Sequence, residues 1–132
     1  MSYQRWTHSN TAVFNIGYHL IWCPKYRRKV LVGSVEVRLR ELLHLKAEEI
    51  NIRISQLEVM SDHLHAFVKS PPVNSPHFIV QQLKGYTSRI LRQEFNSLMK
   101  LPSLWTRSYY CESVGHISEA TVRKYIEEQK GK

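Results

Sequence analysis

The sequence has few cysteines, no long apolar segment and no apolar start. Cys23 and Cys111 are the only two cysteines, and neither belongs to a Cys-x-x-Cys pair, which argues against a disulfide framework and against a zinc–thiolate site. No apolar run approaches the roughly 18 residues of a membrane span. The first ten residues, MSYQRWTHSN, lack the apolar core of a signal peptide. These absences predict a cytoplasmic protein without a membrane segment.

Acidic residues are also scarce relative to basic ones. The chain has 11 Asp and Glu against 19 Lys and Arg, a net charge of +8, which favours a polyanionic partner, most commonly nucleic acid. An anionic membrane surface is less favoured, because no basic amphipathic helix stands out. The length of 132 residues and an apolar fraction of 42% predict one folded domain over residues 1–132.

Segments with strand and helix patterns alternate along the chain. We predict a loose arm over residues 1–11 and a last helix over 117–130, for which Ser118 is a good N-cap. The order β-α-β-β-α-β, followed by α, is typical of a ferredoxin-like α+β fold, an antiparallel sheet with helices on one face. The predicted strands are 13–22, 52–60, 63–69 and 105–114, and the other predicted helices are 34–49 and 78–95.

The segment SDHLHAF, residues 61–67, places two histidines one residue apart behind Asp62. Because side chains alternate along a strand, His63 and His65 are predicted to project from the same face, where a metal could bridge their imidazoles. Asp62 is near enough to accept a hydrogen bond from a histidine and fix its tautomer. A metal site needs a further ligand, and the alternative is two ordinary polar residues on the solvent side of a strand.

The tail YIEEQ, residues 125–129, offers such a ligand. On a helix Tyr125 and Gln129 are four residues apart and share a face, so a phenol and an amide oxygen could meet the histidine pair. A tyrosine phenolate can attack a phosphodiester when a metal polarises the phosphate. The chain has seven tyrosines, and spacing alone does not choose among them, so packing or a surface hydroxyl is the alternative for Tyr125.

These motifs together resemble the single-tyrosine HUH transposases of the TnpA type, from small bacterial and archaeal insertion sequences. The resemblance covers roughly residues 15–130, and the order and spacing of its blocks are more specific than the HUH motif alone. Ser61 stands where the family often has proline. The blocks are YHLIWCPKYR (18–27), EVMSDHLH (58–65), LKG (83–85), LW (104–105), SYY (108–110), SVG (113–115) and YIEEQ (125–129).

The resemblance implies a role for each matching position. His63 and His65 match the two HUH metal ligands, Tyr125 matches the nucleophile, and Gln129 matches the third protein ligand. The implied metal is Mg²⁺ or Mn²⁺. The implied activity is a DNA transposase that recognises subterminal hairpins in single-stranded DNA, then cuts and rejoins the strand through a 5′-phosphotyrosine. Family members form homodimers in which the tyrosine helix can be exchanged, so a homodimer is expected, with Gly115 as a candidate hinge.

Seven basic residues are candidates for contacts with DNA phosphates, which would make binding salt-sensitive. Solvated turns and helix faces are the alternative for all of them. Trp105, Tyr109 and Tyr110 could stack on bases or pack in the core. The basic candidates are Lys25, Arg27, Arg28 and Lys29, after the first predicted strand, and Lys84, Arg89 and Arg92, on the second predicted helix.

Other functions remain open at this point. A ferredoxin-like sheet with aromatic residues could bind RNA or DNA without cutting it, and a metal-dependent covalent adduct would exclude that. A relative with a host role could process repetitive hairpins by the same chemistry. A copy that has lost its activity is a third alternative.

Overall fold

The computed structural model describes residues 7–8, 13–14, 16–113, 124 and 126–129. Near the start of the chain, two short strands, β1 (Thr7–His8) and β2 (Val13–Phe14), pair in antiparallel fashion. Within the predicted loose arm over residues 1–11, Thr7–His8 pair with β2 in a two-stranded sheet that is separate from the main sheet. The predicted strand over residues 13–22 is interrupted, because Ile16 belongs to neither β2 nor the strand that begins at Gly17.

The main sheet has four strands: β3 (Gly17–Trp22), β4 (Arg53–Met60), β5 (His63–Lys69) and β6 (Tyr110–Ser113). Their order in the sheet is β4-β5-β3-β6, and each neighbouring pair is antiparallel. A tight turn at Ser61 and Asp62 joins β4 to β5. One helix connects β3 to β4 and another connects β5 to β6, which confirms the predicted ferredoxin-like α+β fold.

These connecting helices are α1 (Gly33–Glu49) and α2 (Pro76–Glu94), and short 3₁₀ turns occupy Lys25–Arg27 and Asn96–Lys100. Helix α2 begins two residues before the predicted start because Ser75 caps it. The Ser75 hydroxyl oxygen accepts a hydrogen bond from the Phe78 N–H at 3.1 Å, and Pro76 occupies the first helical position. In the part of the chain that the structure describes, no helix is long and apolar enough to cross a membrane.

The core lies between one face of the sheet and the two helices. In β5, Leu64, Ala66 and Val68 are buried in this core and alternate with half-buried residues. Since neighbouring side chains on a strand point to opposite faces, His63 and His65 project from the face that α1 and α2 do not cover. The apolar alternation of β5 therefore positions both histidines away from the core. From the helices, the core includes Leu39, Leu42, Leu43, Ile79, Val80, Leu83 and Leu91.

The predicted strand over residues 105–114 is wrong at its start. Among residues 105–113, which the structure describes, only Tyr110–Ser113 form a strand, and Trp105 makes an isolated bridge with Pro24. The Trp105 indole is buried, packs edge-on against Trp22 at 6.0 Å between ring centroids, and donates from Nε1 to the Thr87 hydroxyl at 3.1 Å. The need to bury and satisfy this indole draws the segment onto α2, so Trp105 is a core residue.

Part of the predicted last helix over 117–130 is described. Lys124 and residues 126–128 are helical, and a turn follows at Gln129. The Gln129 backbone N–H donates to the Ile126 carbonyl at 3.1 Å. Ser118, Gly115 and Tyr125 lie outside the described residues.

Candidate active site

His63 and His65 stand side by side on β5, as the alternation of the strand predicts. Their ring centroids are 6.4 Å apart, and the ring planes are inclined by 25°. Leu64, between them, is fully buried on the opposite face. Both imidazoles are half-buried, so they are held by their surroundings yet open to a ligand.

The His63 ring is fixed by a chain of charged partners. Its Nδ1 lies 2.8 Å from Asp62 Oδ1, and Arg27 Nε donates to the other carboxylate oxygen at 2.8 Å. Burial by itself would raise the pKa of Asp62, but its hydrogen bond with His63 and the Arg27 charge outweigh this and lower the pKa. Since an ionised carboxylate can only accept, His63 carries its proton on Nδ1, which leaves the Nε2 lone pair for a ligand.

The His65 ring has two partners from neighbouring strands. Its Nδ1 lies 3.1 Å from His19 Nε2, on β3, and its Nε2 lies 2.9 Å from Glu58 Oε2, on β4. Burial, followed by the proximity of His65, lowers the pKa of His19 to about 4. His19 is therefore uncharged at neutral pH and can accept a hydrogen bond.

Sequence reasoning did not single out His19 or Glu58. Glu58 could have been predicted as a partner of His65, because the register of the β4–β5 hairpin places the two residues directly opposite each other. His19 is a diagonal neighbour, since its strand pairs Ile21 with His65. Its contact depends on β5 being inserted between β3 and β4, which the order of residues along the chain does not show.

This whole site lies within a segment that matches one protein family. The family model described as "Transposase IS200 like" matches residues 12–129. The chain belongs to the IS200-like transposase family. It is 35% identical over 123 residues to the ISDra2 transposase TnpA of Deinococcus radiodurans, a match that covers 91% of this chain and 88% of that protein.

Solved structures give the same assignment of fold. A crystal structure described as a transposase from Deinococcus radiodurans R1 superposes with a TM-score of 0.87 at 32% identity, covering 96% of this chain and 99% of that one. A REP-associated tyrosine transposase bound to a REP hairpin superposes with a TM-score of 0.55 at 12% identity, covering 96% and 68%. At that low identity, the second likeness concerns the fold alone.

In this transposase the basic residues after β3 differ in their surroundings. Arg27, whose side chain is 12% exposed, is engaged in the ion pair with Asp62, whereas Arg28 and Lys29 are exposed. Lys25 Nζ lies 5.2 Å from the centre of the Tyr26 ring. Arg28 and Lys29 therefore have the exposure that a phosphate contact needs, while Arg27 supports the site through Asp62.

Tyr26 and Arg27 have φ angles of 58° and 52°. The left-handed region is unfavourable for residues with a Cβ, at about 1–3 kcal/mol each. The ion pair of Arg27 with Asp62 is one contact that offsets this cost, and the turn in return aims the guanidinium at the carboxylate that holds His63.

The three basic residues on α2 are mostly committed to the protein itself. The Lys84 ammonium donates to the carbonyls of Thr106 at 2.5 Å, Ser108 at 3.3 Å and Arg107 at 3.4 Å, and burial lowers its pKa to about 8. Arg92 donates to the Leu101 carbonyl at 2.8 Å. Arg89 is exposed beside the Tyr86 ring. Of these three, Arg89 has the exposure that DNA contact requires.

The aromatic candidates are also divided by their contacts. Tyr109 Oη lies 3.1 Å from His77 Nδ1, and the Tyr110 hydroxyl donates to Glu112. That hydrogen bond, followed by burial, raises the pKa of Tyr110 to about 12. Both rings are half-buried, unlike the buried Trp105, so they retain exposed surface for stacking.

The histidine pair offers nitrogen donors that fit a divalent metal, whereas the choice of Mg²⁺ or Mn²⁺ comes from the family alone, because two imidazoles and an amide suit softer metals than Mg²⁺. The Nε2 lone pair of His63 is already available, and that of His65 becomes available once the contact with Glu58 opens. Gln129, the third predicted ligand, is 6% exposed. Among the described residues, no group of three or more His, Cys, Asp or Glu is arranged to hold a metal. A site built on the histidine pair therefore needs an oxygen donor of another type, such as an amide.

Proposed function

We propose that this transposase cuts and rejoins single-stranded DNA at the ends of an insertion sequence through a 5′-phosphotyrosine. One observation carries the proposal: His63 and His65 project from one face of β5, with rings 6.4 Å apart, and Asp62 holds the Nδ1 proton of His63. A carboxylate that fixes the tautomer of a histidine in this way commonly accompanies metal-ligating histidines, which supports a metal at this pair.

The residues that would hold the metal are His63, His65 and Gln129, and the metal would be Mg²⁺ or Mn²⁺. When bound, such an ion supplies positive charge against the negative charge that develops on the phosphate oxygens. Asp62 keeps the His63 Nε2 lone pair directed at the site. Arg27 in turn holds Asp62 ionised, so that it remains an acceptor.

Tyr125 is the proposed nucleophile. Its phenolic oxygen forms a bond to phosphorus while the bond from phosphorus to the 3′ oxygen of the preceding nucleotide breaks. The phenol loses its proton, and the leaving 3′ oxygen takes one up to become a hydroxyl. In the second step, a 3′ hydroxyl from another strand end attacks phosphorus and releases Tyr125. The number of phosphodiester bonds is conserved, so the reaction needs no ATP.

We further propose that the protein acts as a homodimer on DNA hairpins. The support for hairpins is the family resemblance, together with the hairpin bound in the REP-associated transposase of the same fold. An excess of eight positive charges favours such a ligand. Exchange of the tyrosine helix between subunits, about a hinge at Gly115, is the arrangement that the family implies.

The proposal is tested with single-stranded oligonucleotides from the two ends of the encoding locus. The protein is incubated with labelled DNA and Mg²⁺ or Mn²⁺, and products are resolved on a denaturing gel. We expect a covalent protein–DNA adduct that carries the 3′ fragment, and a free 3′ hydroxyl on the other fragment. Chelator should abolish the adduct, and the same sequence as a full duplex should not form it.

The opposite result is equally informative. If the DNA is bound at its true ends but yields no adduct with either metal, the protein is a binding module or an inactive copy. An adduct that persists in chelator would instead remove the metal from the proposed mechanism.

Arg28 and Lys29 are expected to contact DNA phosphates. Replacing both with Gln should flatten the dependence of log Kd on log salt concentration by about 1.4, since each contact with a single strand contributes about 0.7. Fluorescence anisotropy over a salt series measures this slope. The matched control is Arg38→Gln with Lys46→Gln, which removes the same charge from α1, where these residues pair with Glu94 and Glu49. Equal slopes for the two double variants would exclude a local contact by Arg28 and Lys29.

A further inference from the structure

His65 lies between two hydrogen-bond partners, and His63 does not share this arrangement. The partner of Nδ1 is His19 at 3.1 Å, and the partner of Nε2 is Glu58 at 2.9 Å. At His63 the carboxylate of Asp62 is on Nδ1, the side away from Nε2. At His65 the carboxylate is on Nε2 itself. The carboxylate partner therefore leaves Nε2 open at His63 but occupies Nε2 at His65.

The difference matters because a histidine binds a metal through one nitrogen while the other carries the proton. Glu58 can only accept, so it favours the His65 tautomer with its proton on Nε2. Binding of a metal at Nε2 requires the proton on Nδ1 instead. The acceptor within reach of Nδ1 is Nε2 of His19.

His19 is suited to be that acceptor. It is 4% exposed, and its ring stacks on Phe67 with centroids 4.4 Å apart and planes inclined by 26°. Its Nε2 is the ring atom that faces His65 Nδ1, at 3.1 Å, so a lone pair there can accept the His65 proton. Its Nδ1 is buried without a hydrogen-bond partner among the described residues. The polar contact that the structure gives this ring is thus the one to His65.

We propose that His19 is a positioning residue for the metal site, which accepts the Nδ1 proton of His65 and directs the His65 Nε2 lone pair to the metal. Glu58 competes with it by favouring the proton on Nε2. This inference rests on the proposed function, because it concerns how the histidine pair binds its metal. It adds a residue on β3 to a site otherwise built from β5 and the tail.

The tautomer of His65 is the direct test. Histidine labelled with ¹⁵N is incorporated into the full chain, and long-range ¹H–¹⁵N correlations report which ring nitrogen carries the proton. With saturating Mg²⁺ we expect His65 to be protonated on Nδ1. In the metal-free Glu58→Ala variant we expect the tautomer to shift towards Nδ1 relative to the unmodified protein. A proton on Nε2 of His65 in the Mg²⁺-loaded protein would overturn the proposal.

Metal affinity gives a second, independent readout. Loss of a hydrogen-bond partner of a metal-binding histidine typically weakens binding about 10–100-fold. We expect His19→Phe to weaken Mn²⁺ binding by that factor in calorimetry. We expect His19→Gln, whose amide oxygen can accept from His65 Nδ1, to recover part of the loss. The control, Phe67→Leu, removes the stacked ring but keeps the acceptor, and should retain its affinity.

These measurements use no DNA, so they separate this inference from the proposed function. Adduct formation by the unmodified protein, together with unchanged Mn²⁺ affinity in folded His19→Phe, would overturn the role of His19 alone. If His19→Phe does not fold, the metal-free Glu58→Ala protein decides the question, because His65 still protonated on Nε2 there would overturn the role of His19. Failure of the unmodified protein to bind Mn²⁺ at all would overturn the inference as well.

Discussion

Tyr125→Phe should abolish the covalent adduct while leaving hairpin binding nearly unchanged. The substitution removes one oxygen, the atom that is proposed to attack phosphorus, and keeps the ring. We expect adduct formation to fall by more than about 10³-fold, the scale seen when a nucleophile is removed. The dissociation constant for a locus-end hairpin should change by no more than about twofold, as for a substitution that removes no binding contact. Denaturing gels and anisotropy measure the two quantities on the same preparation.

The matched control for this variant is Tyr86→Phe. Tyr86 lies on α2, where its ring is close to Lys46 and Arg89, and its hydroxyl has no proposed part in the chemistry. This variant should form the adduct at the normal rate. If Tyr125→Phe still formed the adduct, another of the seven tyrosines would be the nucleophile, and peptide mapping of the adduct would identify it.

His63→Ala and His65→Ala should each lose metal-dependent cleavage. Each variant removes a proposed nitrogen ligand, and with it the charge that would be held against the phosphate oxygens. We expect the cleavage rate to fall by at least about 100-fold, since loss of one group that stabilises a developing oxyanion costs about 10²–10³. Single-turnover cleavage of the hairpin substrate at several Mn²⁺ concentrations measures this effect. Calorimetry with Mn²⁺ alone should show the loss of affinity directly.

The control is His44→Ala, which removes an exposed imidazole from α1 and should cleave normally. Folding of the variants is checked by their thermal transitions, because His63 takes part in the contact with Asp62. Unchanged cleavage by His63→Ala and His65→Ala would exclude the histidine pair as the metal ligands. If both alanine variants fail to fold, His63→Gln takes their place, because its amide keeps a donor and an acceptor at this position. Its affinity for Mn²⁺, measured by calorimetry, then tests the role of His63 as a ligand.

The local alternation of apolar and polar residues predicted a strand well where one face of that strand is buried. The alternation of β5 predicted both its limits and the common face of His63 and His65, because a strand with one buried face allows a single register. Prediction failed where a tertiary contact overrides propensity. Trp105 has a strong strand preference, yet its indole donates a hydrogen bond to Thr87 on α2, and the residue lies outside β6.

The sequence by itself identified the histidine pair and Asp62 as members of the candidate site, but not His19 or Glu58. The order of its motifs is sufficient to assign the family, and the spacing of His63 and His65 is sufficient to place them on one face. Asp62 could be anticipated as a partner because it is adjacent in the chain. Tyr125 and Gln129 were likewise candidates from their helical spacing, and their roles stay predictions.

The tertiary structure alone decided how each side chain is used. Arg27 and Lys84 are both basic residues in the sequence, but one is paired with Asp62 and the other with three backbone carbonyls. His19 reaches His65 from 46 positions away along the chain. The physical reason is that hydrogen bonds and ion pairs depend on distances of about 3 Å between atoms, and strand order, which brings distant segments that close, is a property of the whole sheet.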